Sequence, residues 1–243
     1  KGILKSGEVE ASDMIASAKS DKTREKIEKE LGIRKADTNA QVVDFADVVF
    51  LAVKPQFLEG VLDEIRDSVK AGQIFISIAP GKTLQWLGER LGENTKVIRT
   101  MPNTPAMVGE GMTALCVNEL VTEEEIALAV KLCDTFGKTE VIPEHLMDAV
   151  VGVSGSSPAY VFMFLEAMAD AAVADGMPRA QAYKFAAQSV LGSAKLMLET
   201  GKHPGELKDM VCSPAGTTIQ AVRVLEEKGF RSAVIEAQTE CVK

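Results

Sequence analysis

The sequence has few of the residues that build metal sites and disulfide frameworks. It contains four cysteines and two histidines among 243 residues, and no two cysteines stand in a C-x-x-C spacing. A zinc site therefore has few possible ligands, and we expect no metal. Scattered single thiols are typical of a reducing compartment, so we expect a cytoplasmic protein.

Basic clusters and long apolar runs are also missing. The formal net charge is -8 at pH 7, which disfavours phosphate backbones and anionic membranes as partners. The unbroken apolar run at residues 48–53 is far shorter than the roughly 20 residues that cross a bilayer. We therefore expect neither nucleic acid nor membrane as a partner. The hydrophobic content of 46% is ample for a folded core.

Short apolar runs alternate with helical patterns through the first two-thirds of the chain. Residues 48–53 predict a buried strand because the run is continuously apolar. Apolar positions between 57 and 69 recur at helical spacing, and residues 74–78 predict the next strand of a β-α-β unit. Shorter strands are predicted at 14–16, 97–98, 114–117 and 141–142. The pattern predicts an α/β, Rossmann-type domain with a parallel sheet over residues 1–144.

From residue 145 onward the strand signals vanish. Helices are predicted at 159–176, 179–199, 206–211, 217–228 and 232–242, which gives an all-α domain over 145–243. The segment 160–174 is apolar on several faces and needs cover on most sides. We therefore expect a subunit interface here, in a homodimer or a larger ring of dimers.

The G-x-G-x-x-G turn that normally opens a dinucleotide-binding fold is not in the sequence. Residues 1–7 look like the end of the helix that follows this turn, with Gly7 as the closing glycine. We expect the first strand and its loop to be absent from the chain as given.

A turn of small residues at 211–216 directly precedes a helical pattern that starts at Thr217. The first N–H groups of a helix lack partners and attract a carboxylate or a phosphate. Small residues let a ligand approach the backbone, and the hydroxyls of Thr217 and Thr218 can donate or accept. Taken alone, these residues favour an ordinary helix N-cap.

Four motifs in the same order resemble those of the pyrroline-5-carboxylate reductases. They are Ala-Val-Lys-Pro at 52–55, Met-Pro-Asn-Thr-Pro at 101–105, Gly-Ser-Ser-Pro-Ala-Tyr at 155–160, and the run from His203 to Thr218. The resemblance implies an oxidoreductase of proline biosynthesis that reduces the cyclic imine 1-pyrroline-5-carboxylate to L-proline. It also implies NADPH as cofactor, with NADH possible, and dimerisation through the helical domain.

The cofactor prediction combines position with this resemblance. Ser17 and Lys19 follow a predicted strand where an NAD-binding protein presents an acid to the ribose, and a hydroxyl with a cation suits a 2′-phosphate instead. A solvated turn is the alternative for Lys19. The resemblance places Asn39 at the adenosine ribose and Asn103 at the nicotinamide. The expected cofactor-binding residues are Ser17, Lys19, Asn39, Ala52, Val53, Lys54, Pro55, Ala79 and Asn103.

The substrate prediction rests on the small-residue turn. The expected substrate-binding residues are Ser213, Gly216, Thr217 and Thr218. By resemblance the Thr218 hydroxyl approaches the ring nitrogen and is the catalytic group. A threonine hydroxyl is a poor acid, so we expect it to orient the ring by hydrogen bonding.

Two other functions fit the same sequence. A carboxylate site does not set ring size, so a reductase of another cyclic imino acid is one alternative. A ligand-binding or assembly protein without turnover is the other. Substrate profiling distinguishes the first alternative from a pyrroline-5-carboxylate reductase. A strand and a G-x-G-x-x-G turn preceding Lys1 would favour an enzyme over the second alternative.

Overall fold

The computed structural model describes residues 1–242. The chain divides into two compact units, a first unit of Lys1–Gly155 and a second unit from Ser156 onward. The helical region already begins at Glu144, so the domain boundary expected at residue 145 stays a prediction. The predicted range 145–243 ends on a residue outside the described ones.

The first unit contains two sheets. A short parallel pair consists of β1 (Ile15–Ala16) and β2 (Arg34–Lys35), and the main sheet has five strands in the order β3-β4-β5-β6-β7. The main-sheet strands are β3 (Val48–Leu51), β4 (Ile74–Ser77), β5 (Lys96–Met101), β6 (Gly111–Val117) and β7 (Gly137–Val141). Pairs β3-β4, β4-β5 and β6-β7 are parallel, which confirms the Rossmann-type class.

Seven α-helices lie among the described residues of the first unit. The helices are α1 (Gly2–Ser6), α2 (Asp21–Leu31), α3 (Asn39–Phe45), α4 (Pro55–Ile65), α5 (Leu84–Leu91), α6 (Glu123–Asp134) and α7 (Met147–Val150). Side-chain caps start four of them, α2, α3, α5 and α6. Thr38 and Thr122 form capping boxes with Gln41 and Glu125, so backbone donors at both helix starts are satisfied. Gly7 closes α1 in the left-handed conformation, as expected from the sequence.

Both faces of the main sheet are buried. On one face Leu58 and Leu62 of α4 pack with Phe75 of β4. On the other face Ile76 of β4 packs with Ala129 of α6. Neighbouring strand residues point to opposite faces, so two-sided cover requires an unbroken apolar strand. This is why β3 and β4 read as continuous apolar runs.

Two details of the sheet differ from the sequence prediction. The sequence does not predict strand β2 because Arg34 and Lys35 are polar and exposed, so no apolar pattern marks it. The parallel arrangement is wrong for one pair, because β6 runs antiparallel to β5. The connection at residues 102–110 is too short for the crossover that a parallel strand needs, so the chain turns back.

The second unit is helical, as predicted. Its helices are α8 (Ser157–Ala174), α9 (Arg179–Thr200), α10 (Pro204–Val211), α11 (Thr217–Glu227) and α12 (Phe230–Val242). Small residues such as Ala169, Ala182 and Ala186 are buried within this unit. Many large apolar side chains are exposed instead, among them Phe162, Met163, Phe185, Leu198 and Ile235.

Helical residues run without a break from Glu144 to Ala174, through a π-helical segment at Val151–Ser156. By length and composition alone this stretch of 31 residues is able to cross a membrane, because an 18-residue window within it has a mean hydropathy of 1.2. An apolar core helix of a soluble protein passes the same test, but little of this one is covered by its own chain. The expectation of no membrane partner therefore stays a prediction.

Burial of two cysteines gives a chemical test of the fold. Burial raises the pKa of the Cys116 thiol to about 12 and that of Cys133 to about 11. The thiolate is the nucleophile, and for Cys116 it is on the order of one part in ten thousand at pH 8. We expect iodoacetamide at pH 8 to label both residues only after unfolding, as mapped by mass spectrometry. Labelling of either residue in the native protein at the unfolded rate would contradict this core.

Candidate functional site

The predicted cofactor residues follow the carboxyl ends of parallel strands. Ser17 follows β1, residues 52–55 follow β3, Ala79 follows β4, and Asn103 follows β5. In open α/β sheets ligands bind outside these strand ends. The Lys19 Nζ lies 5.2 Å from the centroid of the Phe57 ring at the start of α4. The loops after β1 and β3 are therefore neighbours.

The loop after β1 is held by hydrogen bonds. The Ser17 Oγ donates to Asn39 Oδ1 at 2.5 Å. Arg24 of α2 donates to the carbonyl oxygen of Ala18 at 2.7 Å and pairs with Asp21. Lys19 is exposed. The structure thus brings Ser17 and Asn39 together and leaves the Lys19 ammonium exposed over the Phe57 ring.

Asn39 is also tied to α4. Its backbone N–H donates to Glu64 Oε1 at 3.1 Å, and its Nδ2 donates to Glu64 Oε2 at 2.6 Å. Sequence reasoning missed Glu64, because nothing in the local pattern links residues 39 and 64.

The motif at 52–55 forms the turn between β3 and α4. Lys54 is the N-cap residue with extended backbone, and Pro55 opens the helix. The Lys54 carbonyl accepts the Phe57 N–H at 2.9 Å. Ala52 and Lys54 are exposed, whereas Val53 packs against the core. Ala52 and Lys54 are thus the accessible residues of this motif.

The ends of β4 and β5 are joined at buried positions. The Thr100 Oγ1 donates to the Ser77 carbonyl at 3.0 Å, and the Ala79 N–H donates to Ser77 Oγ at 3.3 Å. Ala79 is buried in the core. Its predicted cofactor role therefore has to come from its backbone.

The Asn103 side chain has partners within the first unit. Its Oδ1 accepts from the Met112 N–H at 2.9 Å, and its Nδ2 donates to the Ser154 carbonyl at 3.1 Å. Asn103 therefore ties the loop after β5 to the π-helical segment. Its binding to the nicotinamide stays a prediction, and sequence reasoning missed Ser154.

An ion pair between a buried arginine and a half-buried glutamate supports the same region. Arg99 of β5 is nearly inaccessible and donates to Glu144 Oε1 at 2.9 Å. The same oxygen accepts from the Leu84 N–H at 2.7 Å, at the start of α5. Sequence reasoning missed this pair, although an arginine within an apolar strand indicates a buried partner. The pair connects the sheet, α5 and the start of the helical region.

The small-residue turn has a defined geometry. The Gly216 N–H donates to the Ser213 carbonyl at 3.0 Å, and Ala215 has a φ of 58°. With Pro214 before it, this is a type II turn whose third position normally holds glycine. A Cβ on Gly216 would lie 2.3 Å from Ser213 Oγ. A side chain at 216 would therefore require the Ser213 hydroxyl to rotate away.

Helix α11 begins at this turn without a side-chain cap. Its N-cap is Gly216, and no side chain within the described residues caps its first turn. Thr217 is exposed and Thr218 is half-buried. The structure thus brings Ser213, Gly216, Thr217 and Thr218 together around open backbone donors. In contrast, His203 has a local role, because its Nδ1 accepts from the Gly205 N–H at the start of α10.

Comparison with known families agrees with this architecture. The family described as "NADP oxidoreductase coenzyme F420-dependent" matches residues 1–81, and the family described as "Pyrroline-5-carboxylate reductase dimerisation" matches residues 144–243. A Rossmann-type sheet and these matches define an NAD(P)H-dependent oxidoreductase with a dimerisation domain.

Individual proteins give a finer comparison. Pyrroline-5-carboxylate reductase of Escherichia coli is 55% identical over all of this chain and 90% of its own length. The structure of a Coxiella burnetii pyrroline-5-carboxylate reductase has a TM-score of 0.93 at 33% identity, over 99% of this chain and 90% of that one. A Plasmodium falciparum pyrroline carboxylate reductase with NADP bound has a TM-score of 0.88 at 27% identity, over 99% and 89% of the two chains. The chain belongs to the pyrroline-5-carboxylate reductase family.

The turn before α11 carries a testable strain. Left-handed backbone at a non-glycine residue lowers the stability of the folded state by about 1–2 kcal/mol. Glycine removes this strain, but it also stabilises the unfolded chain by about 0.4–1 kcal/mol because that chain becomes more flexible. We expect Ala215→Gly to raise the free energy of unfolding by about 0.5–1 kcal/mol, measured by urea denaturation. The matched control, Ala194→Gly within α9, should lower it by about 1 kcal/mol. A loss of stability in Ala215→Gly equal to that of the control would contradict the strained turn.

Proposed function

We propose that the protein reduces 1-pyrroline-5-carboxylate to L-proline with NADPH, as the last step of proline biosynthesis. The observation that carries the proposal is the uncapped first turn of α11, with Ser213 and two threonines around it. It offers a carboxylate site in a chain closely related to named pyrroline-5-carboxylate reductases.

The residues after β1 and β3 fit an NADP-type dinucleotide. Lys19 is an exposed cation, and Ser17 stands where an acid would repel a 2′-phosphate. The proposed contacts also include Asn39, the turn 52–55, Ala79 and Asn103. The nicotinamide supplies the hydride when it is bound, and the protein supplies position and charge. NADH fits the same loops without using Lys19.

The substrate proposal assigns separate roles to the residues before and within α11. The N–H groups of Thr217 and Thr218 hold the substrate carboxylate, and Gly216 leaves room for it to approach the backbone. The Thr218 hydroxyl bonds the ring nitrogen and orients the imine carbon. Fixed orientation of this kind lowers the barrier because the reacting groups no longer have to find each other.

We further propose that the protein is a cytoplasmic homodimer, or a ring of dimers, assembled through its second unit. Phe162 and Met163 on α8 and Phe185 and Leu198 on α9 are large, apolar and exposed. An apolar surface of this extent favours association with a second copy. The dimerisation family that matches 144–243 supports this assignment.

Thr218 provides the test of the site. A lost hydrogen bond costs about 1 kcal/mol when neutral and up to about 3 kcal/mol when the partner is charged. We therefore expect Thr218→Ala to lower kcat/KM for pyrroline-5-carboxylate by about five- to 150-fold. The control is Thr200→Ala, whose hydroxyl donates to the Leu196 carbonyl and accepts from the Lys202 N–H at the end of α9, and it should keep wild-type turnover.

Wild-type kcat/KM in Thr218→Ala would remove Thr218 from the site. Wild-type protein that oxidises NADPH with a six-membered cyclic imine but not with pyrroline-5-carboxylate would contradict the proposed substrate.

Glutamate substitutions on the exposed apolar surface of the second unit test the interface. Phe162→Glu and Phe185→Glu place carboxylates on exposed apolar positions, so they should leave the fold intact and convert the oligomer to monomer. Light scattering at low micromolar concentration measures the mass. The control Leu128→Glu changes an exposed apolar residue of α6 in the first unit and should stay oligomeric. A wild-type protein that is monomeric and fully active would contradict the interface.

A further inference from the structure

The Asn39 amide lies between a hydroxyl and a carboxylate. On one side Ser17 Oγ is 2.5 Å from Asn39 Oδ1. On the other side both oxygens of Glu64 are bonded by Asn39, one by the backbone N–H at 3.1 Å and one by Nδ2 at 2.6 Å. Three side chains from the β1 end, the start of α3 and α4 thus form one chain of hydrogen bonds.

The chemistry of these groups fixes the direction of every hydrogen bond in the chain. Carboxylate oxygens only accept, so the amide must turn its NH₂ toward Glu64. The amide oxygen then faces Ser17 and can only accept. The Ser17 hydroxyl must therefore donate its one hydrogen to Asn39. Toward a ligand, Ser17 can then accept a hydrogen bond but cannot donate one.

This direction matters for the ligand at the end of β1. An ionised phosphate oxygen accepts hydrogen bonds, so it gains nothing from a hydroxyl whose hydrogen is already committed. A ribose hydroxyl, in contrast, can donate to Ser17. Lys19 stands two positions after Ser17, is exposed with its ammonium over the Phe57 ring, and carries a charge that suits a phosphate.

We propose that Glu64 is a positioning residue that sets cofactor recognition through Asn39. It holds Ser17 as an acceptor for a ribose hydroxyl common to NAD and NADP, and it leaves the 2′-phosphate to Lys19. This inference rests on the proposed function, because it assumes an adenosine ribose at the β1 end. The inference assigns Ser17 to the ribose and Lys19 to the 2′-phosphate.

Glu64→Gln tests the direction, because a glutamine side chain should reverse it. The Asn39 backbone N–H can only donate, so the amide oxygen of the introduced glutamine turns toward it. The NH₂ group of that glutamine then faces the Asn39 side chain. The Asn39 amide therefore turns its oxygen toward the glutamine NH₂, and the Asn39 NH₂ group then faces Ser17. Ser17 now accepts from Asn39 and has a hydrogen free for a phosphate.

Isothermal titration of the full-length protein with NADP⁺ and with NAD⁺ measures these effects without turnover. Ser17→Ala should raise both Kd values by the same factor, about three- to tenfold. Lys19→Ala should raise the Kd for NADP⁺ by about tenfold and change that for NAD⁺ by less than about twofold. Glu64→Gln should shift the ratio of the two Kd values toward NADP⁺ by about three- to tenfold.

The control for lost charge is Asp63→Asn, which removes an exposed carboxylate from the adjacent position of α4. Asp63→Asn should shift the ratio of the Kd values for NADP⁺ and NAD⁺ less than Glu64→Gln does. Adding Ser17→Ala to Glu64→Gln should abolish the extra shift, because the effect acts through the serine hydroxyl.

Two results overturn the inference while leaving the proposed reaction intact. One is a loss in Ser17→Ala that is confined to NADP⁺, and the other is an equal shift in Glu64→Gln and Asp63→Asn. Wild-type protein that binds neither dinucleotide overturns both this inference and the proposed function.

Discussion

Burial of the central strands on both faces is the constraint on which the rest of the structure depends. Phe75 faces one helical layer and Ile76 faces the other, so the sheet needs helices on each side. Helical crossovers join neighbouring strands in parallel, and parallel strands end at one edge. The loops after β3, β4 and β5 therefore collect there without any interaction between the loops themselves. Polar links such as Thr100 to Ser77 then fix the edge locally.

The backbone departs from ideal geometry at two places near the predicted site residues, the π-helical segment at 151–156 and Ala215. Arg99 and Glu144 hold the sheet, the start of α5 and the helical region together, and Asn103 fixes the π-helical segment. Ala215 keeps a left-handed backbone directly before the open turn of α11. Strained backbone of this kind persists where its surroundings impose it and is frequent at functional sites. Ala215 lies within the run from His203 to Thr218, and the π-helical segment ends at the start of the motif at 155–160.

Local patterns in the sequence are sufficient to predict most strands and helices, but they do not predict the polar contacts between residues that are distant in sequence. Strands β3 and β4 are predictable because burial on two faces leaves a continuous apolar signature, whereas the exposed strand β2 leaves none. The small residues at 213–216 indicate a turn, although they do not reveal the left-handed Ala215. Glu64 and Ser154 escape sequence reasoning because their partners, Asn39 and Asn103, are distant in sequence. Such pairs are set by tertiary packing, which a single sequence does not encode locally.

We propose that the strand edge holds the dinucleotide and that the first turn of α11 holds the substrate carboxylate. A crystal structure of the full-length protein with NADP⁺ and L-proline tests it most directly. We expect the nicotinamide beside the loops after β3, β4 and β5, and the proline carboxylate within hydrogen-bonding distance of the Thr217 and Thr218 N–H groups. Proline bound elsewhere, with the first turn of α11 occupied only by water, would contradict the claim.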